Sequence, residues 1–153
     1  MAEACPISTE RVDEHVVRST AAFVVLVAAT ALLLPSHLAT GLLLLALALD
    51  FIARGFGGGA YSPLGFLART TVRLLTLSPG PTDAAPKRFA ARIGVVFSLG
   101  AAVSFLLGAT VAGLVFAAIL LVAAFLEAAF ALCIGCKVYA LLPEPLADAL
   151  ARG

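Results

Sequence analysis

Apolar residues fall into four long runs along the chain, separated by short polar interruptions. The runs predict membrane-crossing helices at about residues 17–34, 38–54, 92–107 and 111–132. An α-helix needs roughly 20 apolar residues to cross the hydrocarbon core of a bilayer, and each run approaches that length. The pattern therefore predicts an all-α integral membrane protein, with four transmembrane helices forming one domain over residues 1–153.

The links inside each pair of runs are very short. Residues 35–37 join the first run to the second, residues 108–110 join the third to the fourth, and neither link contains a Lys, Arg, Asp or Glu. A link of this length leaves room only for a turn between antiparallel helices. We therefore expect the bundle to be built from two tight helical hairpins.

The loop at residues 55–91 holds most of the polar sequence. A Ser-Pro pair at 62–63 is typical of an N-cap followed by a proline in the first helical turn. From about residue 63 to 77, apolar residues are interspersed with Arg69 and Arg73 at helical spacing. Such a segment suits the headgroup region, with its arginines facing anionic lipid. We predict an interfacial amphipathic helix here, and a plain connector docked on the bundle is the alternative.

The composition agrees with a lipid environment. Hydrophobic residues make up 62% of the chain and charged residues 12%, whereas an average soluble domain has about 25% charged residues. The formal net charge is only +1, far from the basic excess of proteins that bind nucleic acid. We expect the lipid bilayer as a partner, and no nucleic acid.

The basic residues lie at or before the start of the first run, from the end of the second run to the start of the third, and after the fourth. They are Arg11, Arg18, Arg54, Arg69, Arg73, Lys87, Arg88, Arg92, Lys137 and Arg152. With four spans these regions share one face, and Lys and Arg near span ends are retained in the cytoplasm. The distribution predicts that both termini and the long loop are cytoplasmic.

Two carboxylates lie inside the predicted spans, where a charge is costly unless it is paired. Asp50 has Arg54 one turn onward, which favours an ion pair within the helix. Glu127 has no charged residue within a turn, so we expect it to be protonated or paired with Arg92 or Arg18 across the bundle. A stabilising ion pair and a role in proton handling both remain open for Glu127.

Small residues recur at four-residue spacing near and along the third run. Gly100, Ser104 and Gly108 form one stripe, and Ala90, Gly94 and Ser98 form a second. Membrane helices approach each other closely through small residues. We expect these stripes to pack within the molecule, and a homo-oligomer interface is the alternative.

The two hairpins show a faint internal similarity. An arginine precedes a phenylalanine by five residues at the start of each, as Arg18 and Phe23 in the first and Arg92 and Phe97 in the second. Each also has an uncharged turn and an acidic residue late in its second helix. An internal duplication would produce this pattern, and chance similarity between apolar sequences is the alternative.

Three cysteines are present, at Cys5, Cys133 and Cys136. The C-x-x-C pair at 133 and 136 can close a disulfide, exchange with a partner dithiol or hold a metal. On the predicted cytoplasmic side a structural disulfide is disfavoured. Cys133 and Cys136 are therefore candidates for a redox pair, Cys5 for a third thiol and Glu127 for a proton-handling group.

The position of the pair leaves its reactivity open. A thiol is activated at a helix N-terminus, where the helix dipole stabilises the thiolate, but Cys133 and Cys136 follow the fourth run and are expected at a helix C-terminal end. Lys137 and the nearby arginines could reverse that effect.

A metal site is an alternative role for the cysteines. Together Cys5, Cys133, Cys136 and His15 have the composition of a zinc site with three cysteines and one histidine. A solvated His15, and cysteines that pack as small apolar side chains, form the simpler interpretation. Apart from a metal ion, we expect no cofactor.

Several segments together resemble a known family. They are Asp50–Phe56, Tyr61–Leu64, Asp83–Gly94, Cys133–Tyr139 and Cys5-Pro6. In these segments the chain is similar to the bacterial membrane family catalogued as domain of unknown function 4395, from about Cys5 to Leu142. The resemblance implies a multi-span protein of the bacterial inner membrane, associated with thioredoxin-like and sulfurtransferase proteins, and it supplies no reaction.

The leading functional hypothesis is a membrane protein that passes reducing equivalents or sulfur to a cytoplasmic thioredoxin-like or sulfurtransferase partner through Cys133 and Cys136. A small permease or metal carrier using Asp50 and Glu127, or the cysteines, is one alternative. A structural partner subunit is another. The sequence contains no nucleotide-binding loop and no nucleophile-base constellation, so a self-contained hydrolase or transferase is not expected.

Overall fold

The computed structural model describes residues 11–57, 59–146 and 149. The elements, in chain order, are β1 (Arg11–Asp13), α1 (Glu14–Leu33), α2 (His37–Phe56), α3 (Pro63–Leu74), β2 (Pro81–Asp83), α4 (Ala84–Leu106), α5 (Thr110–Phe130) and α6 (Ile134–Leu141). Four of them, α1, α2, α4 and α5, are long and apolar enough to cross a membrane. The protein is thus an all-α membrane bundle of four long helices, as predicted.

Two helix boundaries differ from the sequence-based expectation. Helix α4 begins at Ala84 instead of about residue 92. The extended Asp83 precedes it, and Pro86 falls in the first turn, where proline is tolerated. Helix α3 ends at Leu74 instead of 77, and Thr76 takes a left-handed φ of 49° that is incompatible with further helix. The earlier start of α4 places Lys87 inside a helix, which matters for the site below.

Both predicted hairpins are present, with turns at residues 34–36 and 107–109. In the first, Ser36 caps α2 by accepting the backbone N–H of Ala39, and the buried Thr40 hydroxyl donates to the carbonyl of Ala31 at 2.9 Å. In the second, Gly108 takes a φ of 78°, a conformation that glycine adopts without strain. Each turn therefore has its own local support.

The most extensive helix contact joins the two hairpins, α2 against α4, and the contacts of α4 with α5 and of α1 with α5 come next. Glycine permits the close approach of α2 and α4, since a Cβ atom added at Gly94 would lie 2.5 Å from the Phe51 ring. Gly100 likewise faces the ring of Phe116. These residues of the small-residue stripes pack within the molecule, as expected.

A two-stranded antiparallel ladder, absent from the sequence prediction, joins the starts of α1 and α4. Strand β1 pairs with β2, with Val12 opposite Thr82. Asp13 caps α1, and its carboxylate accepts the N–H groups of His15 at 2.9 Å and Gly80 at 3.2 Å. Strands of three residues carry too few positions for an alternating pattern to be recognised.

The chain follows one plan twice. The first half (β1 to α3, residues 11–74) and the second half (β2 to α6, residues 81–141) each contain a strand, two long helices and a short helix. Each short helix packs on the first long helix of its own half, α3 on α1 and α6 on α4. The repeated order and packing support the internal duplication suggested by the sequence.

The ladder and both short helices lie at the end of the bundle where α1 and α4 begin and α2 and α5 end. We call this the polar end. The basic residues of the described chain belong to segments at this end, and the candidate site lies there as well.

Candidate functional site at the start of helix α6

The C-x-x-C pair begins a helix. Helix α5 ends at Phe130, and Ala131 adopts a left-handed φ of 56° that redirects the chain. Helix α6 then starts at Ile134 with Cys133 as its N-cap, and the Cys133 sulfur accepts the backbone N–H of Cys136 at 3.3 Å. The expectation of a helix C-terminal end was wrong, because nothing in the apolar sequence signals the break at Ala131.

Helix α6 is held against the start of α4 by close contacts. A Cβ atom added at Gly135 would lie 2.6 Å from the Cβ of Ala90, so only glycine fits between the two cysteines at this distance. The buried Tyr139 packs its ring against Phe89, with centroids 5.5 Å apart. These contacts fix the orientation of the helix N-terminus that carries the thiols.

The two thiols differ in acidity. A hydrogen bond from the Cys136 thiol lowers the pKa of Cys133, the positive charge of Lys87 and the Cys136 N–H act in the same direction, and burial and Glu127 oppose them. The pKa of Cys136 is raised, first by that same hydrogen bond and then by burial. Cys133 is therefore the thiol that ionises first, and Cys136 retains its proton.

An ion pair stands beside the thiols. Lys87 Nζ lies 2.8 Å from Glu127 Oε1, joining α4 to α5. An ion pair was one of the two states predicted for Glu127, but its partner is Lys87, and the predicted partners Arg92 and Arg18 were wrong. We call Cys133, Cys136, Lys87 and Glu127 the thiol cluster, because both charges of the pair act on both thiols.

The two arginines expected to reach Glu127 bind backbone carbonyls instead. Arg18 donates from Nε and Nη2 to the carbonyl of Ala128, at 3.3 and 3.2 Å. Arg92 donates from Nε to the carbonyl of Gly55 at 3.2 Å. The partner missed from the sequence was Lys87, and Asp83 followed by a proline three residues later was the signal that could have placed it in a helix.

Asp50 has a structural environment. Its ion pair with Arg54 is confirmed, at 2.9 Å. Its other oxygen, Oδ1, accepts the Ser62 hydroxyl at 2.6 Å and the Leu64 N–H at 3.1 Å. Asp50 therefore ties α2 to the start of α3.

The predicted zinc set does not assemble in the part of the chain that the structure describes. Among those residues, no three His, Cys, Asp or Glu side chains lie close enough together to hold a metal ion. His15 lies beside the ladder near Gly80, where its backbone N–H binds Asp13. Cys5 falls outside the described residues.

A cleft of about 300 Å³ opens on the thiols at the polar end. It is lined by Cys133 and Cys136, and by charged residues of both signs, namely Glu14, Asp83, Lys87 and Lys137. Cys133 is only 8% exposed, so this cleft is its route to groups approaching from the polar end.

Comparison with known proteins identifies the family. Neither the curated proteins nor the solved structures contain a match to this chain. The model of one family, described as Domain of unknown function (DUF4395), matches residues 12–143. This range includes the helices and the thiol cluster, and the resemblance noted from the sequence is confirmed. The chain belongs to the DUF4395 family.

Proposed function

We propose that this protein is a membrane thiol-disulfide exchange protein in which Cys133 and Cys136 transfer two electrons to or from a thioredoxin-like partner. The observation that carries the proposal is the position of Cys133 at the N-cap of α6, where its sulfur accepts the N–H of Cys136. Helix N-termini and neighbouring cations stabilise thiolates, and the thiolate is the form that attacks a disulfide.

The exchange proceeds in two displacements. Cys133 thiolate attacks one sulfur of the partner disulfide, the partner S–S bond breaks, and the leaving sulfur takes the electron pair and a proton. Cys136 then gives up its proton and attacks Cys133, which closes the intramolecular disulfide and releases the second partner thiol. Glu127 is the proposed acceptor of the Cys136 proton. The same steps in reverse oxidise a partner dithiol.

The proposed location of this chemistry is the cytoplasmic face of a bacterial inner membrane. Lys and Arg residues near span ends are retained in the cytoplasm, and those of the described chain belong to the polar end. Both termini would then be cytoplasmic, α3 would lie in the headgroup region, and the cleft beside Cys136 would face cytoplasmic partners.

Trapping of the mixed disulfide tests the exchange. We expect Cys136→Ser, carried in a Cys5→Ser background, to accumulate a covalent adduct with oxidised thioredoxin, because the second displacement is removed. The matched variant Cys133→Ser in the same background should give little adduct. Equal trapping by both variants, or none by Cys136→Ser, would contradict the proposal.

A further inference from the structure

A second and larger cavity, of about 750 Å³, lies inside the bundle. Its walls are mostly apolar and include Val24, Phe51, Ile93, Phe97, Ile119 and Val122. Ile119 and Val122 are 45% and 56% exposed on α5, so the cavity reaches the lateral surface of the bundle. A cavity of this size accommodates a small organic molecule, and its walls suit one that dissolves in lipid.

The cavity and the polar cleft meet at the thiol cluster. Cys133 and Lys87 line both spaces, whereas Glu127 lines the cavity and Cys136 the cleft. Cys133 therefore lies between a route from the polar end and a route from the lipid-facing side. Such a position is useful to a redox group that receives electrons from one side and delivers them to the other.

We propose that the cavity binds a lipid-soluble quinone and that the quinone oxidises the Cys133–Cys136 dithiol. This inference rests on the proposed exchange function. A quinone combines an apolar tail, which suits the walls, with a head group that accepts two electrons and two protons from a dithiol. Arg54 and Lys87 line the cavity and are ion-paired with Asp50 and Glu127. The buried Nε of Arg54 has no hydrogen-bond partner among the described residues and can donate to a ring oxygen. A phospholipid chain would suit the same walls but would offer the thiol nothing to react with.

In the proposed transfer, the electrons and protons lost by the two cysteines are those gained by the quinone. Cys133 thiolate adds to a quinone ring carbon, forming an S–C bond. Cys136 thiolate then attacks the Cys133 sulfur, so that the S–S bond forms, the S–C bond breaks, and its electron pair remains on the ring. The dithiol loses two electrons and two protons, and the quinone gains them to become a quinol. A thioredoxin-like dithiol entering through the cleft reduces the pair again.

A substitution that fills the cavity should slow quinone reduction without slowing thiol-disulfide exchange. The reduced protein in detergent would be mixed with a short-tailed benzoquinone, and quinol formation and thiol loss would be followed together. We expect Ala123→Phe, in the cavity wall, to slow quinone reduction about tenfold or more because the extra volume competes with the ring. Ala112→Phe, on an exposed position of the same helix, is the matched control and should have no effect.

Exchange with oxidised thioredoxin serves as the second readout. Ala123→Phe should retain this exchange, which would show that the variant is folded. If the phenylalanine disturbs folding, the smaller Ala123→Leu replaces it and should reduce quinone at an intermediate rate. Unaltered quinone reduction in Ala123→Phe would overturn the inference. A wild-type protein that exchanges with thioredoxin but does not reduce the quinone would also overturn it. Phospholipid that copurifies in the cavity would then identify the occupant. If the wild-type protein neither exchanges with thioredoxin nor reduces the quinone, the proposed function itself is contradicted.

Discussion

The two halves of the molecule use the same structural position differently. In the first half, Ser62 caps α3, accepts the Gly65 N–H at 2.9 Å and donates to Asp50 at 2.6 Å. In the second half, Cys133 caps α6 and accepts the N–H of Cys136 at 3.3 Å. Ser62 is 1% exposed and fully occupied by hydrogen bonds, whereas the sulfur at the equivalent place adjoins two open spaces.

The acidic residues of the halves differ in the same way. Asp50 pairs with Arg54 on its own helix and binds the cap of α3 directly. Glu127 pairs with Lys87 on a neighbouring helix, and the charges of that pair act on the thiols. One copy of the plan therefore has a cap that is held by buried hydrogen bonds, while the other has an ionisable cap, which the proposed function uses for thiol exchange.

Replacing the capping sulfur of Cys133 by oxygen should have the largest effect on thiol-disulfide exchange. Cys133→Ser keeps a good N-cap, so we expect the free energy of unfolding to be nearly unchanged. A hydroxyl at this position is not ionised at neutral pH, and the rate of thiol-disulfide exchange should fall by about a thousandfold or more. Stopped-flow exchange and denaturation in mixed micelles measure the two quantities, and an unfolding loss comparable to the activity loss would contradict the division of roles.

Removing the cap in the first half should have the opposite result. Ser62→Ala loses the cap of α3 and removes one of the two hydrogen bonds that Asp50 Oδ1 accepts, which should lower the free energy of unfolding by about 1–3 kcal/mol. The exchange rate per folded molecule should remain unchanged. A variant that exchanges slowly while fully folded would show that the first half participates in the reaction.

The glycines that follow the two caps offer a finer comparison. Gly135→Ala places a Cβ atom within 2.7 Å of the Ala90 backbone, so α6 must shift and exchange should slow about tenfold. In Gly65→Ala the nearest atom is the Ser62 hydroxyl at 3.1 Å, which a small adjustment relieves. That variant should exchange at the normal rate. Cysteine alkylation rates report the displacement of α6, and equal rates in both variants would mean that its docking is unimportant.

Removing the charge of Lys87 or of Glu127 should produce the smallest effects, which are shifts of the Cys133 alkylation midpoint in opposite directions. Lys87→Met removes a charge that lowers the pKa of Cys133, so the midpoint of its alkylation should move to higher pH. Glu127→Gln removes a charge that raises this pKa, so the midpoint should move to lower pH, and release of the partner from the mixed disulfide should slow. Asp50→Asn is the control and should not move the midpoint. A shift in Asp50→Asn equal to the others would indicate a general change in structure.

The features predictable from the sequence are those determined by nearby residues. The four long helices follow from the length of the apolar runs, and the Asp50–Arg54 pair from helical spacing. The Ser-Pro signal placed the start of α3 correctly, because capping is local chemistry.

The features that escaped prediction depend on contacts between distant residues or on unusual backbone conformations. Lys87 meets Glu127 only once α4 and α5 are packed, and no spacing rule connects residues so far apart in the chain. Helix α6 begins because Ala131 adopts a left-handed conformation, which alanine rarely does. For this reason the C-x-x-C motif was visible in the sequence while its position at the start of a helix was not.

The pH dependence of alkylation of the native, reduced protein tests the central claim most directly. Peptide mapping after brief treatment with iodoacetamide would give a separate rate for each cysteine. We predict that Cys133 reacts before Cys136, with a midpoint below that of Cys133 in the unfolded protein. Faster reaction of Cys136, or a common midpoint that matches the unfolded protein, would contradict the assignment of Cys133 as the reactive thiol.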